Sequence, residues 1–312
     1  MIGDVGGHSR ALARLLERHG VRFDLPAGEY PTGQQWRAVN VDWPEDLVVV
    51  SVGDLVHRGP DSDGVIALVD HLMILGRWVQ VVGNHEQLYV DRPVFGWPET
   101  ISDDSIATLR RWWAEGRLRA AAAITTSQAP AGSGAPVKVG RTPVHPVRGS
   151  GVLVTHAGLT YGFWRAALGE PRTALDAAAS LTAAAADGSL WLPGAMLGYQ
   201  VNLAAGPVWA EAGTELLQSW ALAQDPPQQW AERGHVAVAC PFDQVHGHSS
   251  AWSWYDDRWL CPDELTHVIT VDKGRRHVTG TIAGTRFTGI DPGHSKQAAP
   301  SFEPIVYAGN VT

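Results

Sequence analysis

Cysteine is scarce in this chain, with only Cys240 and Cys261 among 312 residues. Two isolated thiols argue against a disulfide framework, and each is best interpreted as a small buried hydrophobic side chain in a reducing cytoplasm. Long apolar runs are also missing, since the Ala-rich stretch 174–186 is interrupted by Asp176 and is too short to span a bilayer. We also expect no signal peptide before the first motif. The sequence therefore predicts a cytoplasmic protein with no membrane partner.

Positively charged residues are fewer than negatively charged ones in this chain. The chain has 24 Lys and Arg against 32 Asp and Glu, so its formal net charge is −8. This balance argues against a broad nucleic-acid surface or an anionic-membrane surface. It does not exclude phosphate at one site, because bound metal ions can supply local positive charge. With 45% hydrophobic residues the chain can bury a large core, and we expect residues 1–312 to form one domain.

Residues 46–86 contain the clearest structural pattern. Two apolar, β-branched runs, Leu47–Val52 and Val79–Val82, are typical of strands that are buried on both faces. Between them, apolar residues at helical spacing predict a helix that is capped by Asp61 or Ser62 and ended by Gly76. Strand, helix and strand over this distance form a βαβ unit, so we expect the two strands to be parallel.

Each apolar run ends in a polar run, Gly53–Gly59 after the first and Gly83–Glu86 after the second. The carboxyl ends of neighbouring parallel strands lie at one edge of the sheet, where open α/β sheets place ligands. The fold thereby brings Asp54 to the same edge as Asn84 and His85.

Five motifs occur in an order that resembles the calcineurin-like metallophosphatases, and within them the phosphoprotein-phosphatase branch with its bacterial diadenosine-tetraphosphatase relatives. The motifs are Gly3–Gly7, Gly53–Gly59, Gly83–Glu86, His156–Gly158 and Gly247–His248. One short motif would be weak evidence, but five in order, each after a predicted strand, are strong. The resemblance implies an α/β fold, a four-layer sandwich of two mixed β-sheets flanked by helices. Residues 160–235 would add a helical insert over the site.

The same resemblance implies two divalent metal ions, with manganese favoured and iron or zinc as alternatives. Asp54 would bridge the two ions, and Asp4 would hold the first. Asn84, His156 and His248 would complete the second site. His85 would be the general acid that protonates the leaving alkoxide, and the substrate phosphate would be bound by Arg58 and Asn84.

Three residues depart from the family pattern. Gly6 stands where relatives have a histidine ligand of the first metal, so we expect that site to be weak. His57 replaces an aspartate that orients the general acid, and Glu211 lies where relatives often carry a phosphate-binding arginine. Replacement ligands for the first metal could come from His8, His246 or His294. Of these His246 is favoured, since a His-x-His pair that ends a strand points both rings to one side.

These observations predict a metal-dependent phosphoesterase that hydrolyses phosphate esters or anhydrides by attack of metal-bound hydroxide. A phosphoprotein, a dinucleoside polyphosphate and a small phosphorylated metabolite all remain open as substrates. The alternative is a degenerate family member that binds phosphate or a protein partner with little or no turnover.

Further predictions concern the rest of the chain. Because only Met1 and Ile2 precede the first motif, either the first strand is nearly absent or the natural start lies upstream. The stretch 127–150 is dense in Pro, Gly and Ser and predicts a flexible excursion. We expect a strand at 235–240, and antiparallel strands at 266–271 and 277–288.

Overall fold

The computed structural model describes residues 1–26, 28–126, 138–139, 142–223, 237–294 and 299–312. The described α-helices are α1 (Ser9–Arg18), α2 (Ser62–Ile74), α3 (Asn84–Val90), α4 (Asp103–Ala114), α5 (Tyr161–Ala166), α6 (Ala174–Asp187) and α7 (Gln218–Ala221). The first described strands are β1 (Arg22–Phe23), β2 (Val41–Asp42), β3 (Val49–Ser51), β4 (Trp78–Val81), β5 (Leu118–Arg119), β6 (Ala122–Thr125), β7 (Lys138–Val139), β8 (Thr142–Pro146) and β9 (Val152–Val154). The later ones are β10 (Asp243–His246), β11 (Trp252–Ser253), β12 (Arg258–Trp259), β13 (Ile269–Asp272), β14 (His277–Ile282), β15 (Thr285–Gly289), β16 (Val306–Ala308) and β17 (Asn310–Val311).

The predicted βαβ unit forms a small parallel sheet. Strand β3 pairs with β4 and β4 with β5, all in parallel. The helix between them, α2, is capped by Asp61, whose carboxylate accepts a hydrogen bond from the Gly64 amide. It ends before Gly76, which adopts φ +68°. The first strand is reduced to one parallel bridge between Ile2 and Ser51. That bridge is enough to place Asp4 beside the loop that follows β3.

A larger mixed sheet lies opposite, in the order β13-β14-β15-β10-β9-β6-β17. Its central strands β9, β10 and β15 are parallel, while the outer pairs are antiparallel. Side chains from both sheets meet in one buried cluster, which includes Val50 and Val81 from the small sheet and Val154 and Val245 from the large one. Helices α2 and α6 pack on the outer faces, α2 against β4 and α6 against β6 and β9. This arrangement confirms the four-layer α/β sandwich.

The strand that we expected at 235–240 is not found at residues 237–240, and residues 235 and 236 lie outside the described part. Strand β10 comes later, at Asp243–His246. Its buried polar side chains are satisfied by distant partners: Arg286 binds the Asp243 carboxylate, and the Gln244 amide bonds the backbone of Leu159. The described residues before β10 contact a helix and do not extend the sheet: the Val238 amide donates a hydrogen bond to the Trp220 carbonyl in α7.

The antiparallel strands predicted near the carboxyl terminus are present as β13, β14 and β15, although residues 266–268 belong to a 3₁₀ turn. Most of the 127–150 excursion lies outside the described residues, and its described end contains β8. In the described part of 160–235, helices α5, α6 and α7 are joined by 3₁₀ turns and a π-helical turn at Ala212–Leu217. None of the described helices combines the length and hydropathy needed to cross a bilayer.

Candidate metal centre and active site

Five loops carry polar side chains to one place in the fold. Each loop follows the Ile2 bridge or the carboxyl end of β3, β4, β9 or β10. The five side chains are all buried, with at most 7% of each residue exposed. They are Asp4, Asp54, Asn84, His156 and His248. The structure thus brings together all five residues that the sequence nominated as metal ligands.

A glycine makes this convergence sterically possible. Gly53 adopts φ +117°, and a Cβ built on it would lie 2.5 Å from Nδ1 of His156 and 2.9 Å from the Gly83 backbone. No side chain fits in that space, so the loop after β3 can approach both His156 and the start of α3 only with glycine at this position.

Asp54 lies at the centre of the cluster. Its Oδ1 is 3.3 Å from Nε2 of His156, and its Oδ2 is 3.7 Å from Nε2 of His85. The His85 amide also donates to Oδ1 at 3.1 Å. Burial acts to raise the pKa of Asp54, but the neighbouring histidines outweigh it and hold that pKa well below its ordinary value. Asp54 is therefore a carboxylate with both oxygens aimed into the cluster.

His156 presents a lone pair to the same place. Its Nδ1 lies 2.9 Å from the carbonyl oxygen of Val52, which can only accept, so the neutral ring carries its proton on Nδ1. Its unprotonated Nε2 then faces Oδ1 of Asn84 at 2.9 Å and the carboxylate of Asp54. Backbone carbonyls often fix the tautomer of a metal-binding histidine in this way.

Asn84 supplies the observation that tests whether a cation fits. Its Oδ1 lies within 3.3 Å of Nε2 of His156, Nδ1 of His248 and both carboxylate oxygens of Asp54. Without a cation, the amide would gain hydrogen bonds by turning its NH₂ group toward these acceptors. The side chains of Asn84, Asp54, His156 and His248 offer an amide oxygen, a carboxylate and two imidazole nitrogens, which is a donor set that a divalent ion prefers, so the residues fit the metal that the sequence implied.

Asp4 and His248 meet at the other end of the cluster. The His248 amide donates to both carboxylate oxygens of Asp4, at 3.2 and 3.1 Å, and Nε2 of His248 is buried with no hydrogen-bond partner. Burial, followed by the charges of Asp291 and Asp54, raises the pKa of Asp4 well above its ordinary value. Ligand atoms of Asp4, Asp54 and His156 all lie within 4.8 Å of one another. A bound cation would relieve the crowding of these carboxylates.

The sequence favoured His246 as the replacement for the histidine ligand that is missing at Gly6, but the histidine that lies beside Gly6 is His294. The ring of His246 does not turn into the cluster: its Nδ1 contacts the Gly247 carbonyl at 3.0 Å, and the ring lies against Gly289 on the neighbouring strand. The alternation that we assumed fails because the strand ends at His246 and His248 adopts φ +63°. His294 lies beside Gly6 instead, with its Nδ1 buried and without a partner.

His8 and Glu211, which the sequence also singled out, have other neighbours. The His8 ring lies 4.9 Å from the His294 ring. The Glu211 carboxylate accepts a hydrogen bond from the Thr214 hydroxyl, and Glu211 lines an open cavity next to His248.

Arg58 and His57 occupy the loop between Asp54 and α2, both with positive φ. Nη1 of Arg58 donates to the carbonyl of His294 at 3.1 Å, and its charge acts to lower the pKa of both Asp4 and Asp54. His57 is buried, and its Nδ1 lies 2.6 Å from Nδ1 of His85.

Two residues near His85 were missed in the sequence. The hydroxyl of Tyr89 lies 2.6 Å from Nε2 of His57, and the Trp97 ring stacks on His57 and meets the edge of His85. Tyr89 follows His85 by four residues on α3, so helical spacing alone could have nominated it. Nothing in the sequence pattern pointed to Trp97, because it lies in a loop.

Comparisons with known proteins agree with this geometry. The family model described as calcineurin-like phosphoesterase matches residues 1–166. A serine/threonine-protein phosphatase 1 from Salmonella typhimurium is 47% identical over 49 residues, which are 15% of this chain and 20% of that protein. The match thus spans a fifth of the relative's length, and the relative fits the phosphoprotein-phosphatase branch. Because the family model covers 166 of the 312 residues, the chain belongs to the calcineurin-like phosphoesterase family.

Proposed function

We propose that the protein is a metal-dependent phosphoesterase that hydrolyses phosphate esters or anhydrides with the help of two divalent cations, Mn²⁺ being the preferred ion. The observation that carries this proposal is the convergence of Asp4, Asp54 and His156, whose ligand atoms all lie within 4.8 Å of one another. Buried carboxylates this close to each other are stabilised by a cation between them.

Each residue of the cluster has a proposed role. Asp4 and Asp54 would hold the first ion, and Asp54 would share the second with the ligands Asn84, His156 and His248. Bound cations would neutralise the phosphoryl oxygens and activate the attacking water.

His85 is proposed to protonate the leaving oxygen. Its Nε2 faces the centre of the cluster, 3.7 Å from Oδ2 of Asp54, while its Nδ1 is held by His57. Arg58 is proposed to bind the substrate phosphate together with Asn84. The substrate is a phosphorylated molecule, and the phosphatase among the relatives makes a phosphoprotein one candidate. Both described cysteines are unpaired, which supports a proposal that the protein works in the cytoplasm.

A second candidate is favoured by Gly6 and His57. A family member that has lost one metal ligand and the usual partner of its general acid could bind phosphate without turnover. This candidate predicts a protein that binds a cation and inorganic phosphate but releases no product. The full set of second-site ligands argues for the hydrolase.

Metal reconstitution distinguishes the two candidates. The full chain is stripped with a chelator, and p-nitrophenyl phosphate hydrolysis is measured before and after Mn²⁺, Zn²⁺, Fe²⁺ or Mg²⁺ is added, with elemental analysis of each sample. The hydrolase proposal expects activity that is absent in stripped protein and returns in proportion to bound Mn²⁺. Protein that binds Mn²⁺ yet shows no hydrolysis of any phosphate ester or anhydride tested would support the degenerate candidate.

A further inference from the structure

We propose that a groove beside helix α1 binds an acidic polypeptide segment in an extended conformation. This arginine groove is a cavity of about 560 Å³ between α1 and residues 299–302. Three arginines of α1 line it, and they are Arg10, Arg14 and Arg18. The chain as a whole has a formal net charge of −8. A concave surface that collects positive charge in such a chain attracts an anionic ligand to that place.

The three arginines lie on one exposed face of α1, each four residues after the one before it. They form no ion pair with an acidic side chain in the part of the chain that the structure describes. Arg14 lies over the Tyr30 ring, 5.6 Å from its centroid, and Arg18 donates to the Phe302 carbonyl at 3.2 Å. A guanidinium group has five N–H donors, so most of them remain available to a ligand.

Two acidic side chains close to the arginines have other partners. Asp61 lines the groove, but its carboxylate caps α2 and accepts hydrogen bonds from the Ser9 hydroxyl and the Gly64 amide. Glu17, the one acidic residue of α1, accepts a hydrogen bond from the Tyr30 hydroxyl at 2.6 Å. Neither carboxylate therefore takes the place of an anionic ligand at the arginines.

The spacing of the arginines fits alternate residues of an extended peptide. A step of four residues along a helix rises about 6 Å, and a step of two residues along a strand spans about 6.6 Å. Carboxylates at every second position of an extended segment therefore lie opposite Arg10, Arg14 and Arg18, and the long arginine side chains absorb the small difference. Pro300 and Phe302 supply apolar surface on the other wall for the uncharged residues of the segment.

A short acidic segment fits the groove better than a membrane or a nucleic acid. Both of these are extended polyanions, and they would face the negative charge of the whole chain as well as the three arginines. A peptide of a few residues can lie within the concave groove and contact the arginines alone.

The groove ends close to the proposed phosphate-binding residue. His8 lines the groove, and its ring centroid lies 4.9 Å from that of His294. The backbone carbonyl of His294 accepts a hydrogen bond from Arg58 at 3.1 Å. The acidic segment is therefore part of a phosphoprotein substrate that carries its phosphorylated residue toward Arg58, an assignment that rests on the proposed function of the metal centre.

Peptide binding to the full chain tests the groove without any turnover. Fluorescence anisotropy compares two labelled peptides of equal charge and composition, Glu-Ala-Glu-Ala-Glu and Glu-Glu-Glu-Ala-Ala. We expect the alternating peptide to bind at least about threefold more tightly, because only its carboxylates match the spacing of the arginines. Added salt should weaken its binding, since the arginines are exposed. Equal affinity for the two peptides, or no binding of either, would overturn the inference.

Two double variants separate the groove from general charge. Arg10→Gln with Arg14→Gln removes two arginines of the groove, whereas Arg92→Gln with Arg172→Gln removes two exposed arginines that do not line it. We expect about tenfold weaker binding of the alternating peptide in the groove variant, and binding like that of the wild type in the control. Thermal unfolding checks that both variants are folded. Equal affinities in the two variants would contradict the proposal.

The same variants test a lipid ligand. Wild-type protein and both variants are mixed with vesicles of equal parts phosphatidylcholine and phosphatidylserine, and co-sedimentation is measured. We expect equal co-sedimentation of all three proteins. Vesicle binding that the groove variant loses and the control keeps would assign the groove to a membrane and overturn the proposal.

Turnover tests the link to the metal centre. The alternating segment joined to phosphoserine should have a KM about tenfold lower than a phosphopeptide with alanine in place of each glutamate, and the groove variant should abolish that difference. Equal KM values for the two phosphopeptides in active protein would overturn the assignment to a substrate. The anisotropy measurement needs no hydrolysis, so it decides whether the groove binds an acidic segment even if the proposed function fails.

Discussion

Gly6 packs against His294. A Cβ built on Gly6 would lie 3.4 Å from Cβ of His294, and the backbone at Gly6 adopts φ +54°. A non-glycine residue in this conformation costs about 1–2 kcal/mol. A histidine at position 6, where the resemblance implies a metal ligand, would therefore carry this backbone cost, although its Cβ would make only an ordinary van der Waals contact with His294.

The first prediction concerns metal occupancy. In the proposed assignment, the first site has the carboxylates of Asp4 and Asp54, whereas the second would add the neutral ligands Asn84, His156 and His248. We expect one ion per chain to bind tightly and a second to bind at least about tenfold more weakly. Equilibrium dialysis of chelator-stripped protein against Mn²⁺, followed by elemental analysis, measures both. Two ions bound with equal affinity would contradict this account.

Three variants refine that measurement. Gly6→His should lower the unfolding free energy by about 1–2 kcal/mol without tightening the weak site. His246→Ala should keep both ions, since its ring faces Gly289 and not the cluster. Loss of the weak ion in His294→Ala, but not in His246→Ala, would identify His294 as a replacement ligand.

The second prediction concerns the bridge. Asp54→Asn removes one negative charge from the centre of the cluster and leaves two cations without a shared carboxylate. We expect metal content to fall by at least one ion per chain and hydrolysis of p-nitrophenyl phosphate to be abolished. Asp46→Asn, at an exposed position, controls for the loss of an aspartate charge. If Asp54→Asn kept both metal content and rate, the bridge would have to be assigned elsewhere.

The sequence predicted the parts of this fold that depend on local pattern. These parts are the strands with β-branched runs, the helix start at Asp61 and the helix end at Gly76. Each is determined by residues that lie close to it in the chain. Because parallel strands end at one edge, those local features were sufficient to place Asp54 beside Asn84. Asp4, His156 and His248 were added by the resemblance to the calcineurin-like family, because no local pattern connects them to Asp54.

Features that depend on distant partners were not predicted. Asp243 and Gln244 are polar, so the sequence pattern does not predict a buried strand at these positions. Their polar groups are satisfied by Arg286 and Leu159, each more than forty positions away in the chain. The contact between His57 and His85 likewise depends on a positive φ at His57 that no propensity indicates. His294 could be named as a candidate, but only the tertiary fold shows that it lies beside Gly6.

The third prediction concerns pH and the stability of metal-free protein. Burial lowers the pKa of His246 from 6.5 to about 4 in the folded state. Above pH 6.5, His246 is neutral in both the folded and the unfolded state, so it does not change the free energy of unfolding. Below pH 6.5, the unfolded chain binds a proton at His246 that the folded protein does not bind, which favours unfolding. His246 should therefore cost about 2 kcal/mol of stability between pH 7 and pH 5.

Denaturant unfolding at these two pH values measures that difference. We expect His246→Gln to reduce the loss of stability on acidification by about 2 kcal/mol, even if it is less stable than the wild type at pH 7. His267→Gln, at an exposed position, controls for the loss of an imidazole elsewhere in the chain. An identical pH dependence in His246→Gln and wild type would show that His246 is not held neutral.

The last prediction separates the two roles that His85 could have. If it protonates the leaving oxygen, His85→Asn should slow hydrolysis of alkyl phosphates by about 10²-fold or more, because poor leaving groups depend most on a proton. The loss for p-nitrophenyl phosphate should be much smaller, since its phenolate leaves without help. Metal content should be nearly unchanged, because Asn84 and not His85 faces both histidines that are proposed as metal ligands. A series of aryl and alkyl phosphates gives the dependence of kcat on leaving-group pKa, which should steepen in the variant. An equal loss for every leaving group would indicate that His85 binds the phosphate and transfers no proton.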